Sequence, residues 1–306
     1  MRRVWERIGS IATSVSERPA DRQAVVEAEA ALRLQPDSRD RHRDLVRALS
    51  RVGDLARAEQ VAEQWLGRDE LDPEALVALS DVVGRQGRRA EALRLLTGVV
   101  DLEPDSEALH TRLIEAFDRA GQANRACSHR VAMAETEGAD PDAIAEAVRC
   151  EQSLGDQASA TQLLSAVTDA NIRRRVERAV ANPPRQRGVN GDLMLEATWS
   201  SPQDLDLTIV NSQGQRISWM GGRTNVVGET AWAPGREKLG LRWTPVGTYF
   251  IEVSRTDPAD TTPVTGQISV RMLRERRTIP FTLVGQQARV GSVRVRRESR
   301  LVPAGF

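Results

Sequence analysis

The chain has 306 residues, with 43 basic and 43 acidic side chains, two Cys and three His. At about 100–200 residues per domain this is a two-domain length, and the charged and apolar fractions, 28% and 40%, belong to a folded chain rather than a disordered one. The apolar runs fall far short of the roughly 18 residues that cross a bilayer. Two Cys build neither a disulfide framework nor a four-Cys zinc site, and zero net charge gives no global pull toward nucleic acid or acidic lipid. Lys238 is the sole lysine, which reads as the coding bias of a GC-rich genome.

Residues 1–20 read as a lead-in. Met1–Arg7 is charged and Ile8–Val15 is a weak apolar stretch without the h-region of a secretory signal. A cytoplasmic protein has this start, and so does an internal piece of a longer exported chain, which would place it in the periplasm or outside the cell.

A repeat organises residues 21–182. Gly53, Gly87, Gly121 and Gly155 recur every 34 residues, each followed five residues later by Ala58, Ala92, Ala126 and Ala160. Eight residues before each glycine stand Leu45, Leu79, Leu113 and Ala147; four before stand Leu49, Val83, Phe117 and, breaking the column, Glu151. Trp65, Val99, Met133 and Val167 stand twelve after. Apolar residues four apart share a helical face, a glycine can end that helix in the left-handed conformation, and alanine permits close approach of a second helix. Pro36, Pro73, Pro104 and Pro141 follow the pairs, where proline opens a helix. This pattern resembles the tetratricopeptide repeat (TPR), although its usual early Trp and helix-end Tyr are missing. Residues 21–34 align with the second helix of a partial repeat. Asp169–Asn182 reads as the polar capping helix that a solenoid needs, and 183–189 as a linker.

The resemblance implies a concave groove lined by first helices. Its positions here are Arg51, Arg85 and Arg119, one repeat apart, with Arg47, Asp81, Glu115 and Arg149. They form either an arginine ladder that takes an acidic peptide or a solvated face. The Lys/Asn set with which TPR chaperone adaptors clamp a C-terminal carboxylate is absent, since residues 1–185 contain no lysine. Cys127 and Cys150 stand at one level of an antiparallel helix pair turning near Gly138–Ala139; they are either a disulfide or two small buried thiols. His42, His110 and His129 lack ligand spacing and read as surface or packing residues.

Helical periodicity stops at Gly188. Strands are expected at Gly191–Trp199, Asp204–Val210, Gln215–Met220, Leu239–Trp243, Thr248–Ser254, Thr265–Leu273, Thr278–Val284 and Ala288–Arg296, separated by turn residues. Eight of the eleven aromatics lie here, suited to a core between two sheets. Two stretches, Trp199-Ser-Ser-Pro-Gln-Asp-Leu-Asp-Leu-Thr-Ile-Val-Asn-Ser-Gln-Gly214 and Pro245-Val-Gly-Thr-Tyr-Phe-Ile-Glu-Val253, resemble the β-sandwich of bacterial pre-peptidase C-terminal domains and YfaP-like domains. That resemblance covers roughly residues 190–296 and implies an accessory module, the β-sandwich domain expected over 190–306. Asp204 and Asp206 at a strand start point the same way and, with Asn211, could hold calcium; otherwise they bond turn amides. Trp219-Met-Gly-Gly-Arg223 reads as core or as a glycan-stacking platform. The arginine-rich strands 271–277 and 294–300 lack interleaved aromatics and read as solvated or edge-protecting. No catalytic motif occurs, and this half holds no His or Cys.

The expectation is a two-domain α + β protein, a TPR-like solenoid followed by an antiparallel β-sandwich. It would be a non-catalytic protein-interaction scaffold, with a calcium- or glycan-binding surface module as the alternative. No cofactor other than calcium, no specific nucleic acid and no membrane span is expected. Residues 1–185 carry 27 basic and 32 acidic side chains, and 186–306 carry 16 and 11; such opposite charges favour docking of the halves or self-association.

Overall fold

A computed structural model describes residues 2–13, 19–119, 121–136, 140–183, 191–217, 226–233, 235–257 and 259–302. Ten helices and two antiparallel sheets are present among them, an α + β chain. It divides into two compact units, residues 1–95 with 189–306, and residues 96–188.

The first unit holds α1 (Pro19–Leu34), α2 (Arg39–Val52), α3 (Leu55–Leu66), α4 (Pro73–Arg85) and the start of α5 (Arg89–Leu102). Consecutive helices from α1 to α4 pack on one another, and α2 also reaches α4. Leu45, Leu49, Ala58, Trp65, Leu79, Val83 and Ala92 are all buried, so the repeat columns are the helix–helix core. Asp72 caps α4 and ties three helices together: it receives Arg39 of α2 at 2.6 Å, the Trp65 indole of α3 at 2.8 Å and the amide of Glu74. The glycines of the 34-residue period all have φ between 66° and 85°, ending their helices in the left-handed region.

Ten strands complete this unit: β1 (Arg2–Ala12), β2 (Leu193–Trp199), β3 (Leu205–Val210), β4 (Arg216–Ile217), β5 (Val226–Ala233), β6 (Arg236–Leu241), β7 (Gly247–Arg255), β8 (Val264–Met272), β9 (Glu275–Leu283) and β10 (Gln287–Val302). One sheet has the order β1-β10-β7-β3-β4 and the other β5-β6-β2-β8-β9. Both contribute to a single apolar core that includes Leu195, Leu207, Ile251, Ile268 and Val293. The lead-in is corrected here: Arg2–Ala12 is a strand paired with β10 from Arg2↔Val302 to Ala12↔Ser292. β3 and β7 depart from in/out alternation. Every residue of β3 is buried, and so are the last seven of β7. Leu205, Leu207, Ile209, Tyr249, Ile251 and Val253 face the core; the residues between them lie on the sheet's other face, also shielded from water.

The second unit holds the rest of α5 with α6 (Glu107–Arg119), α7 (Ala123–Thr136), α8 (Pro141–Leu154), α9 (Gln157–Ala166) and α10 (Ala170–Ala181). α7 packs on α6 and α8, and α8 on α9 and α10 around Ile144, Ala147, Val148, Ala160 and Val176. Asp169 is the N-cap of α10, a helix at the position where the capping helix is expected. Cys127 and Cys150 are joined in a disulfide between α7 and α8, with a Cα–Cα distance of 5.6 Å. The turn near Gly138–Ala139 and the Trp219–Arg223 stretch, the expected core or glycan platform, lie outside the described residues.

Two glycines of the column separate backbone strain from packing. A Cβ at Gly155 would meet nothing within 4 Å, whereas one at Gly87 would lie 2.6 Å from the Arg255 carbonyl oxygen on β7. Gly155→Ala is expected to cost about 1 kcal/mol, the left-handed penalty alone. Gly87→Ala should cost at least about 1 kcal/mol more, because the helix end must also move off the sheet; urea unfolding of the two variants measures the difference.

Candidate functional site

The outer face of β3 and β7 is where four of the charged residues singled out by sequence, Arg51, Arg85, Asp204 and Asp206, converge. Successive side chains alternate along a strand, so Asp206, Thr208, Phe250, Glu252 and Ser254 face away from the core, yet all are buried. Arginines from the helices meet them. Arg85 donates to both oxygens of Glu252, at 2.8 Å and 3.1 Å, and to the Ser50 carbonyl at 2.8 Å. Arg289 of β10 donates to the same carboxylate at 2.8 Å and 3.0 Å. Arg51 donates to Asp21 at 2.9 Å and to the Asn211 carbonyl at 2.8 Å. The Phe250 ring lies 4.1 Å from the Arg289 guanidinium and 5.1 Å from that of Arg51, a desolvated cation–π contact on each.

The first two rungs of the arginine ladder are therefore engaged within the chain. This corrects the expectation for Arg51 and Arg85, which are buried and hold the sheet rather than line an open groove. Among the remaining groove positions, Arg149 donates to the Ala179 carbonyl at 2.7 Å, and none of Arg47, Asp81 and Glu115 is without a partner. The Arg119 side chain lies outside the described residues.

Asp204 and Asp206 do point the same way, and the cation between them is Arg89. It approaches Asp206 at 2.8 Å and Asp204 at 3.3 Å. Burial, followed by the neighbouring Asp206 charge, raises the Asp204 carboxyl above its usual value despite Arg89. Asn211 is not brought to the pair. It follows the far end of β3, about 17 Å along the strand from Asp206, where its Oδ1 accepts from the amides of Gln213 and Gln215. The three-residue calcium set is corrected accordingly, and among the described residues no group of three or more His, Cys, Asp or Glu is placed to hold a metal ion.

The motifs of this half acquire local reasons. In the Asn211–Gly214 turn, Gly214 has φ 79°, and a Cβ there would strike the Arg47 carbonyl of α2 at 2.2 Å. Gly247 passes beside Ser212, and the Tyr249 hydroxyl donates to the Pro245 carbonyl at 2.8 Å. The Trp199 indole donates to the Gln203 carbonyl at 2.7 Å. Sequence reasoning missed Glu252, Arg289, Phe250 and Asp21. The available signal was Phe250, an apolar residue among the alternate β7 positions Thr248, Glu252 and Ser254 that otherwise read as solvent-facing.

In the second unit, His110 is buried and His129 partly so. Their Nδ1 atoms lie 3.1 Å apart, His110 Nε2 lies 2.8 Å from the Pro104 carbonyl, and His129 stacks on Phe117. Burial, and then the adjoining His110, lower the His129 pKa to about 4.

No protein-family model matches the chain, and no curated protein does. Among solved structures, the chain is similar to one in the Naa15/Naa10 complex bound to HypK-THB, at 15% identity and TM-score 0.43, covering 55% of this chain and 24% of that one. It is similar to MamA (residue 41 to the end) from Desulfovibrio magneticus RS-1, at 16% identity and TM-score 0.35, covering 55% and 90%. It is also similar to YrrB, described as a TPR protein with an unusual peptide-binding site, at 15% identity and TM-score 0.35, covering 52% and 84%. Likenesses at this level assign neither family nor activity.

Burial pushes the Glu252 carboxyl up, but the Arg85 and Arg289 charges outweigh it and hold the group below its usual value. A depressed carboxyl pKa adds stability above the unfolded value, and that stability is lost as pH falls through the folded one. Glu252→Gln, which leaves the buried Arg85 guanidinium and the partly buried Arg289 without their charge partner, is expected to destabilise the chain by about 3 kcal/mol at neutral pH. It should also flatten the acid limb of the stability curve, as read by urea unfolding across pH.

His129 works in the same direction at higher pH. Its contribution is present above about 6.5 and is lost as pH falls toward about 4. His129→Gln should remove that part of the pH dependence from the melting temperature.

Proposed function

We propose that the chain is a non-catalytic protein-interaction scaffold, in which a TPR-like solenoid carries a β-sandwich as an accessory module. One observation carries this reading: four glycines at a 34-residue period end every second helix, α2, α4, α6 and α8, in the left-handed conformation, and the alanine five residues after each is buried. An array built this way repeats one helical face at fixed spacing, which suits it to an extended partner segment. The lack of His and Cys in residues 186–306 supports a non-catalytic role for the sheets.

Because Arg51 and Arg85 are buried against the chain's own sheet while Glu115 and Arg149 keep part of their surface exposed, the partner-binding positions are the later ones, Glu115, Arg119 and Arg149. The Cys127–Cys150 bridge favours an oxidising compartment, the periplasm or the cell exterior.

Capture of partners from the source cell by the full chain tests the groove. The expected result is a partner retained by the native chain and lost by Glu115→Ala/Arg119→Ala at unchanged melting temperature. Equal capture by that variant overturns the assignment.

A further inference from the structure

The last pair of the β7–β10 ladder is Gly247↔Val295, but β10 continues to Val302 alongside β1. Residues 2–8 and 296–302 therefore form a two-stranded ribbon, about 23 Å long at 3.3 Å per residue. The register Arg3↔Leu301, Trp5↔Ser299 and Arg7↔Arg297 puts these six side chains on one face. Trp5 is 59% and Leu301 63% exposed. Arg3 and Arg297 are exposed beside them, and neither is ion-paired among the described residues. Arg7 lies 3.4 Å from the centroid of the Trp243 ring and pairs with Asp192, tying the ribbon to the β6–β7 loop. There Trp243 and Val246 are 54% and 52% exposed.

Trp5 and Leu301 thus stand in water next to the unpaired Arg3 and Arg297, and Trp243 and Val246 are exposed on the loop that Arg7 joins to the ribbon. The ribbon's carboxylates are kept off this face. Glu6 and Glu298 oppose each other on the other side, where they pair with Arg274, Arg300 and Arg296. Edge protection does not account for the pattern, since it uses charges and proline and avoids exposed Trp and Leu.

We propose that this face of the β1–β10 ribbon docks peripherally on an anionic phospholipid bilayer, with Trp5, Leu301, Trp243 and Val246 entering the interface and Arg3 and Arg297 meeting lipid phosphates. Tryptophan settles at the headgroup level, and arginine is drawn to an anionic surface. Stable attachment without a spanning helix takes two such signals together. Leu301 and Val246 have no use in stacking nucleic-acid bases. The expectation that the 294–300 strand lacks aromatics holds for that strand alone; its neighbour β1 supplies Trp5.

Co-sedimentation of the full chain with phosphatidylcholine vesicles, with or without phosphatidylglycerol, tests the proposal. The expected result is binding to the phosphatidylglycerol vesicles, weakened by salt. Trp5→Ala/Leu301→Ala and Arg3→Glu/Arg297→Glu should each lower partitioning by about tenfold or more, at unchanged melting temperature. The charge pair, on exposed positions, keeps the test decisive if the apolar pair unfolds. Equal binding to both vesicles, no binding to either, or an equal loss from Arg174→Glu on α10 overturns the proposal. So does binding of an oligothymidylate or polyglutamate in place of lipid.

Discussion

The carboxylate of Glu252, buried between the guanidiniums of Arg85 and Arg289, is the contact on which the first unit depends. An ionised carboxylate out of water is expensive unless its charge and lone pairs are met. Here one arginine comes from the end of a repeat helix and the other from the neighbouring strand. Removing either side leaves a desolvated charge. The pair therefore links α4 to the sheet in a way that a looser apolar contact would not.

Much of the surrounding architecture follows from that constraint. β7 and β3 can be buried on both faces because the outer one is covered by helices bearing suitable cations: Arg85 for Glu252, and Arg89 for Asp206 and Asp204. Close approach of backbone to backbone then requires residues without side chains, and Gly87 and Gly214 stand where a Cβ would enter a carbonyl of the opposite element. The signs of these contacts run against the net charges of the two halves. Arginines of the acidic half meet carboxylates of the basic half, so local pairing rather than overall charge explains the contact.

The repeat register and its use are different matters. A period of 34 residues places Arg51 and Arg85 at equivalent points of successive hairpins, and that periodicity is visible in one sequence. Whether such a position faces a partner or the chain's own sheet depends on what lies opposite. Opposite Arg85 stands Glu252, 167 residues away. The Asp204/Asp206 pair has the same history: its shared direction is a property of strand alternation, and its cation is a helix residue more than a hundred positions earlier.

Local physics made the helices, their left-handed glycine ends, the buried alanine and leucine columns, the α10 cap and most strands legible in the sequence, because each depends on residues within a few turns of one another. Composition and alternation also located the change from helix to sheet. Three things needed the tertiary structure. One is the pairing of β1 with β10, because residues 2–12 carry no repeat or turn signal that names a partner nearly 300 residues on. The second is the engagement of Arg51, Arg85 and Arg89. The third is the gathering of Trp5, Trp243 and Leu301 at one end of the sheets. In each case the deciding neighbour comes from a distant segment, and the sequence of one segment specifies what it can pair with, not which partner the fold brings to it.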